Sequence, residues 1–559
     1  MTARTKQTLQ NLRNRASISG FARNEDGTIT IFSVMMFVLM IGIGGIAIDV
    51  MRYETQRVQL QYTLDRAVLA AASMSNTLDP ETVVRDYFEI SGLEDYRLTV
   101  AVEDDLNSRT VSADAEMDIN SVFMHMFGVR ALTSPGFGIA EEQIDNVEIS
   151  MVLDISGSMR HNNKLTNMQT AARDFVTTVM EANDYVEDEM LVSVSIVPYN
   201  GRVNAGSTIE SVFTLSDEHS RSSCTRFSGA DFETTAIDPS QPVQRLAHFD
   251  LANFDSNAPN MSYRSFRRPH CQTNDFAAIL PWSNSVSDLH AHINSFSAGG
   301  WTAIDLGMNW GVGLLDPAAQ PAAQQLVAQG LIHQDFDDRP MDYPVDGVPT
   351  DEDTMKIVVL MTDGENTRQY DITGPRRDGL SNVFYHEDHD RWSMYMPSTE
   401  LYWIPDRGER NWTNDGRSRP DSASGTYSIQ PYRGNESDRV PWQYFWSRWS
   451  ARMMAGEFYF EGARRGGGDW SYYRDLRYNT YRQYADQGIA DANLRAICDA
   501  ARAQDIIVFT VAFEAPADGA EVMEYCATSP SHYFDVNGLE IADAFASIAT
   551  TINRLRLVQ

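Results

Sequence analysis

Three short stretches of this 559-residue chain carry oxygen-bearing side chains at spacings that could hold a cation. In MVLDISGSM (151–159), Asp154, Ser156 and Ser158 alternate, so a turn leaving a strand can aim all three at one point. Thr302 follows two glycines in GGWT (299–302), and Asp363 stands in MTDG (361–364). Two carboxylates and three hydroxyls form a donor set for a hard divalent cation, which prefers oxygen and keeps some of its waters. Hydroxyl ligands add no charge, so a cation held this way stays positive enough to take a carboxylate from another protein. Gly299 and Gly300 would let the Thr302 loop approach closely. No nucleotide-binding loop, nucleophile elbow or acid/base pair accompanies the set. The reading is therefore binding rather than catalysis, with a metal-dependent hydrolase as the weaker alternative.

The surrounding pattern supplies elements to position these residues. Val147–Leu153 is an apolar run that reads as a buried strand ending at Asp154, and Ile357–Met361 is another, ending just ahead of Asp363. A helical pattern follows Thr302. Lys164–Met180 sets Leu165, Met168, Ala172, Phe175, Val176 and Val179 on one helical face. Leu191–Val197 and Ile506–Phe513 read as further strands, and Leu539–Leu557 as a closing helix. Strands alternating with helices predict an α/β fold with a doubly wound, mostly parallel sheet covered on both faces. Such sheets bind ligands at the carboxyl ends of their strands.

The formal net charge of −32 excludes a nucleic-acid partner, because phosphate binding needs a basic surface. The charge is unevenly placed: Arg4, Lys6, Arg13, Arg15 and Arg23 precede the first long apolar run, against Glu25 and Asp26. Thr28–Ile48 holds no charged residue and matches the roughly 20 residues that span a bilayer as a helix. It lacks the small-residue cleavage site of a signal peptide. The expectation is a single-pass anchor in a bacterial inner membrane, with the amino terminus cytoplasmic and the rest periplasmic or extracellular. Four cysteines without a CxxC spacing suit disulfides in an oxidising compartment. Three pairings are open, and Cys224–Cys271 with Cys498–Cys526 is the sequence-local one.

The predicted organisation is a basic tail (1–27), a transmembrane helix (28–48), a helical stem (49–75), a small α+β membrane-proximal region (76–146) and the α/β domain (147–559). In the third of these, Asp49–Met74 has neither Pro nor Gly and should prolong the membrane helix. In the fourth, Glu81–Ile90 and Ser121–Phe127 read as helices, and Tyr96–Val102, Thr110–Met117 and Ala131–Ala140 as strands. Three insertions, at about 199–281, 318–353 and 367–486, interrupt the α/β domain; segments this long should fold as a cap or subdomain. The last is aromatic, and the plainer reading of Trp392, Trp403, Trp442 and Trp446 is a small core of its own. His386-Glu387-Asp388-His389 lacks the i, i+4 histidine spacing of a zinc helix. Asp335, Asp337, Asp338, Asp351 and Asp353 lack an EF-hand register and read as solvated loop.

At these motifs a resemblance is plain. MVLDISGSM, GGWTAIDLGMNWG and IVVLMTDGEN resemble the three loops of the metal-ion-dependent adhesion site in von Willebrand factor A domains, and CATSPSHYFDVNGLEIADAFASIATTINRLR resembles their last strand and helix. The resemblance implies Mg2+, or another divalent cation such as Mn2+ or Ca2+. It implies Ser156, Ser158 and Thr302 as direct ligands, with Asp154 and Asp363 coordinating directly or through water. DGTITIF (26–32), AIDV (47–50) and LDRAVLAAA (64–72) resemble the amino-terminal segment of TadG-like proteins of tight-adherence (Flp) pilus systems. Phe32 stands where type IV-like pilins carry Glu, which argues against polymerisation as a major pilus subunit. Together the resemblances imply a membrane-anchored adhesion or assembly protein. It would hold the bilayer through 28–48 and a pilus or envelope partner through an acidic residue offered to the ion. A periplasmic scaffold or sensor unrelated to pili is the alternative.

Overall fold

The computed structural model describes residues 28–73, 78–104, 108–144, 146–181, 183, 192–250, 269–343, 354–372, 374–406, 424–465, 469–555 and 557–558. The basic tail, Met74, Leu191, Asp351, Asp353 and Trp412 lie outside them. The chain divides into two compact units, Met1–Ile144 with Leu557–Gln559, and Asp145–Arg556.

In the first unit, helix α1 (Thr28–Ala72) runs unbroken for 45 residues, about 68 Å at 1.5 Å per residue. Its first half exposes Ile29, Phe32, Met35, Phe37, Val38 and Met40 and is long and apolar enough to cross a membrane. Its second half turns Leu60, Leu64, Ala67, Val68 and Ala71 into a core shared with helix α2 (Pro80–Ser91) and a sheet. That sheet is antiparallel, ordered β1 (Tyr96–Asp104), β2 (Ser108–Asn120), β3 (Ala131–Ile144), with Leu557–Val558 added beside β3. Helix α2 starts where the Asp79 carboxylate accepts the Thr82 N–H and ends at Gly92 in the left-handed region. The helix expected over Ser121–Phe127 shrinks to a single 3-10 turn, Met124–Phe127. The Asp49 carboxylate of α1 takes the N–H groups of Val122, Phe123 and Met124, which fixes where that turn begins.

The second unit alternates strands and helices: β4 (Asn146–Asp154), α3 (Lys164–Met180), β5 (Val192–Tyr199), α4 (Val286–Asn294), α5 (Ile304–Gly313), β6 (Thr354–Thr362), α6 (Gln487–Ala503), β7 (Ile507–Phe513), α7 (Ala517–Cys526), β8 (Tyr533–Val536) and α8 (Glu540–Leu555). Five strands pair in parallel, ordered β8-β7-β6-β4-β5. The chain leaves β4 for β5 on one side and returns as β6 on the other. The strand order therefore reverses at β4, the condition for a crevice at the carboxyl ends. Register puts Leu153 opposite Met361, which brings Asp154 level with Thr362.

Packing sets α5 close to this sheet. A methyl group added at Gly307 would lie 2.7 Å from the Tyr199 ring, and one at Gly311 2.4 Å from Val152. Val152, Val358, Leu360 and Val508 share a core with α5, α6 and α7. Helices α3 and α8 meet through Phe175 and Phe545, whose rings contact edge to face at 5.8 Å. Leu165, expected on the core face of α3, is only half-buried, and the neighbouring Lys164 is buried instead.

The insertions fold. The first adds the short strands Val203–Asn204, Cys224–Thr225 and Leu280–Ser283 to the β5 edge, and carries the disulfide Cys224–Cys271. The second is not a loop throughout, since Gln320–Ala328 is a helix. The third leaves and re-enters through a stalk in which Gln369–Ile372 pairs antiparallel with Tyr481–Ala485. Above the stalk lie a five-stranded antiparallel sheet and a core holding Trp392, Trp403, Trp442 and Trp446. Arg377 locks the first and third insertions together: it pairs with the buried Asp371 and with Glu218, and donates to the Arg245 carbonyl. A second disulfide, Cys498–Cys526, ties α6 to α7.

The α5 packing is testable. Alanine at Gly311 gains about 1 kcal/mol of helix propensity, but the collision with Val152 belongs to overpacking that costs roughly 1–3 kcal/mol. Gly311→Ala should lower stability by up to roughly 2 kcal/mol net, and adding Val152→Ala should relieve the collision. Denaturant midpoints of the two variants check both statements.

Candidate metal centre

Asp154 is the last residue of β4, and Asp363 follows β6. Both are buried. Asp154 Oδ1 accepts the Ser156 N–H at 2.6 Å, and Oδ2 accepts the Thr362 hydroxyl at 2.8 Å. This closes the DxSxS turn and points the serines toward the next strand end. Ser156 Oγ and Ser158 Oγ lie 2.9 Å apart, and both reach Asp363 Oδ1, at 3.5 and 2.5 Å. Four of the five expected residues thus form one hydrogen-bonded group.

Thr302 closes the fifth side. A methyl group added at Gly364 would lie 3.3 Å from Thr302 Oγ1 and 3.8 Å from Ser158 Oγ, so all three loops meet above Gly364. The Gly157 N–H donates to the Gly300 carbonyl at 3.1 Å, and the Gly299 N–H to that of Ile155 at 2.8 Å. Gly300 has φ +93°, where L side chains are strained, and Asn200 packs where a Cβ would project. From beneath, Thr367 accepts the Thr302 N–H and donates to its carbonyl. The Asn366 side chain accepts the Ile304 N–H at 2.7 Å, capping α5. In the first turn of α5, the buried Asp305 accepts from Gln369 at 2.7 Å and Asn493 at 3.3 Å, tying this loop to the stalk and to α6. Burial pushes the Asp305 carboxyl up to about 7.

Lys164 is the residue that sequence reasoning missed. Its ammonium lies 3.2 Å from Asp363 Oδ2 and 3.6 Å from Glu514 Oε2, with only 7% of the residue exposed. One signal was available: Lys164 opens α3, where a cation opposes the helix dipole and needs a local reason. Glu514, Asn366 and Thr367 carried no such signal, because their partners are remote in sequence.

The residues present fit a divalent cation. One ammonium pairs with Asp363 and Glu514, while Asp154 is held by N–H and hydroxyl donors, so acidic groups outnumber the basic one. Asp363 Oδ2 is buried and receives no hydrogen bond, only the ion pair with Lys164. Burial first, and then the neighbouring Asp363 charge, pushes the Asp154 carboxyl well above the usual carboxylate range, against the hydrogen bonds from Ser156 and Thr362. His386 and His389 stack on each other at 4.7 Å, with His386 3.5 Å from Glu436. Among the described residues no group of three or more His, Cys, Asp or Glu side chains is placed to hold a metal ion by itself, there or elsewhere. A cleft of about 610 Å³ opens beside Thr302, lined by Trp301, Glu365, Arg368, Tyr370, Asp486 and Gln487. The Trp301 and Tyr370 rings meet in it at 5.3 Å.

A family described as Flp pilus-assembly TadE/G-like matches residues 27–74. No curated protein matches the chain. Among solved structures, the vWF domain of the type V pili tip protein Mfa5 from Porphyromonas gingivalis is similar at a TM-score of 0.30 and 14% identity, covering 74% of this chain and 98% of that one. The pilus adhesin RrgA from Streptococcus pneumoniae is similar at 0.30 and 11%, covering 81% of this chain and 49% of that one. Proximal thread matrix protein 1 from the mussel byssus is similar at 0.25 and 10%, covering 74% of this chain and 48% of that one. This chain therefore spans about half the length of the last two.

The raised Asp154 carboxyl sets a pH dependence. Unfolded, Asp154 ionises freely above about pH 4; folded and without a cation, it resists ionisation. Its contribution to stability is complete below pH 4 and is lost as pH rises toward neutrality. In chelator at pH 8, Asp154→Asn should therefore stabilise the protein by roughly 1–3 kcal/mol, a gain that vanishes near pH 4. Thermal unfolding at both pH values measures it.

Proposed function

We propose that this chain is a membrane-anchored adhesion or assembly protein of a bacterial tight-adherence pilus system. Its second unit would be a von Willebrand A-type, doubly wound domain that binds a protein partner through a divalent cation. One observation carries the reading: Asp154, Ser156, Ser158, Thr302 and Asp363 converge where the strand order reverses, with two buried carboxylates and one ammonium. The family match over residues 27–74 supports the pilus-related role. The exposed apolar half of α1 supports a membrane anchor, and the five basic residues ahead of it favour a cytoplasmic amino terminus.

Ser156, Ser158 and Thr302 would hold the cation with Asp154 and Asp363, and the cation, Mg2+ or a similar ion, would supply an open position for a partner's carboxylate. The chain's own residues do the rest. Asp154 is spent mainly on closing its turn, which keeps the two serine hydroxyls together. Lys164 steadies Asp363 and offsets part of its charge. The cleft beside Trp301 gives a partner an aromatic wall next to the cation position, flanked by Arg368 and Glu365. The insertions thereby shape selectivity around a common acidic anchor.

Calorimetric titration of the full chain in detergent with Mg2+ or Mn2+ tests the reading. The Ser156→Ala, Ser158→Ala double variant should bind at least about tenfold more weakly, as expected for loss of two oxygen ligands. Its unfolding midpoint in chelator should stay close to that of the parent. Equal binding by parent and variant would overturn the proposal.

A further inference from the structure

The connection between β2 and β3 lies against the membrane-crossing part of α1. A methyl group added at Gly42 would come within 3.3 Å of the Phe127 ring, and one at Gly45 within 2.7 Å of Phe123. Gly42 stands six residues before Ile48, the end of the uncharged run, or about 9 Å along the helix. The run cannot slide toward the amino terminus to free these residues, because Arg23, Glu25 and Asp26 would then enter the hydrocarbon. Thr28–Ile48, about 31 Å long at 1.5 Å per residue, already matches a hydrocarbon core of about 30 Å. Wherever the bilayer surrounds Gly42, it also meets Phe127.

The turn is built for that setting. Its exposed side chains are Val122, His125, Met126 and Phe127; three of the four are apolar, and Met126 and Phe127 are 73% and 64% exposed. Backbone groups in hydrocarbon need partners within the protein. The N–H groups of Val122, Phe123 and Met124 go to the Asp49 carboxylate at 3.0, 2.8 and 2.7 Å. Those of Met126, Gly128 and Val129 go to carbonyls of the same turn, and that of Ser121 to Arg130. Asp49, the first charged residue after the apolar run, is thereby 2% exposed. A carboxylate at this depth is accounted for by the turn that it organises.

We propose that Val122–Phe127 is a second membrane element, a wedge that enters the same bilayer leaflet as the outer end of α1. It fixes the first unit against the membrane surface, instead of leaving it free on a single helix. The proposal rests on reading α1 as a bilayer anchor, and the experiment separates the two.

Single cysteines at Phe37, Met126, Phe127 and Ile139 would carry a nitroxide in the full chain, reconstituted into phosphatidylcholine/phosphatidylglycerol vesicles. The native cysteines are held in the two disulfides. Ile139 is exposed on β3, beside Gly138, which packs on Leu64 of α1, about 24 Å beyond Ile48. Collision with oxygen, enriched in lipid, is compared with collision with a water-soluble nickel chelate. Labels at 126 and 127 should favour oxygen as the label at 37 does, and the label at 139 should favour nickel. Nickel preference at 126 and 127 with oxygen preference at 37 would overturn the wedge and leave the anchor standing. Shielding of 126 and 127 from both reagents would overturn it in favour of a protein contact. Nickel preference at 37 would overturn the anchor and the wedge together.

Discussion

Two carboxylates held at the ends of neighbouring parallel strands are the constraint from which the second unit can be understood. The register of β4 with β6 sets Asp154 level with Thr362 and brings the Asp363 side chain to the serines of the neighbouring turn. Like charges in a buried setting repel strongly, and the surroundings answer that repulsion piece by piece. Thr362 and the Ser156 N–H hold Asp154, the two serine hydroxyls lie on Asp363, and Lys164 brings a buried ammonium to the far side. The compensation is incomplete. Acidic groups outnumber the one ammonium, and the remaining neighbours are hydroxyls and N–H groups, so the cluster costs stability that better-paired side chains would not.

The first and third insertions leave that arrangement intact because each closes on itself near the sheet. The third does so through the antiparallel stalk of Gln369–Ile372 and Tyr481–Ala485. Its aromatic core then folds on its own side chains without competing for the central sheet. The stalk is still joined to the site. Gln369 and Asn493 grip Asp305 one turn beyond Thr302, and Asn366 and Thr367 hold the backbone of the same loop.

The first unit solves a different problem. Asp49 is the first charge after the apolar run of α1, and it meets the N–H groups of a turn from the adjoining sheet. The same bonds fold the turn, bury the charge and leave Met126 and Phe127 facing outward. One carboxylate therefore joins the helix to the β2–β3 connection. The glycines at 42 and 45 allow the approach, since larger side chains there would collide with Phe127 and Phe123.

How much of this was legible in the sequence depends on the reach of each interaction. The strands before Asp154 and Asp363, the DxSxS alternation and the length of α1 are local patterns, governed by periodicities of two and 3.6 residues, and they read directly. The sequence by itself also determined the stock of oxygen donors, but it left three cysteine pairings open, of which the structure joins the sequence-local one, Cys224–Cys271 with Cys498–Cys526. Lys164 did not read, because its partners Asp363 and Glu514 lie hundreds of residues away and only the parallel register brings them near. The stalk, the Arg377–Glu218 lock and the Asp49 turn were hidden because their partners too are remote in sequence. Local periodicity specifies which face of an element is apolar. Which remote charge meets which is decided only when the packed elements leave a buried ion no other partner.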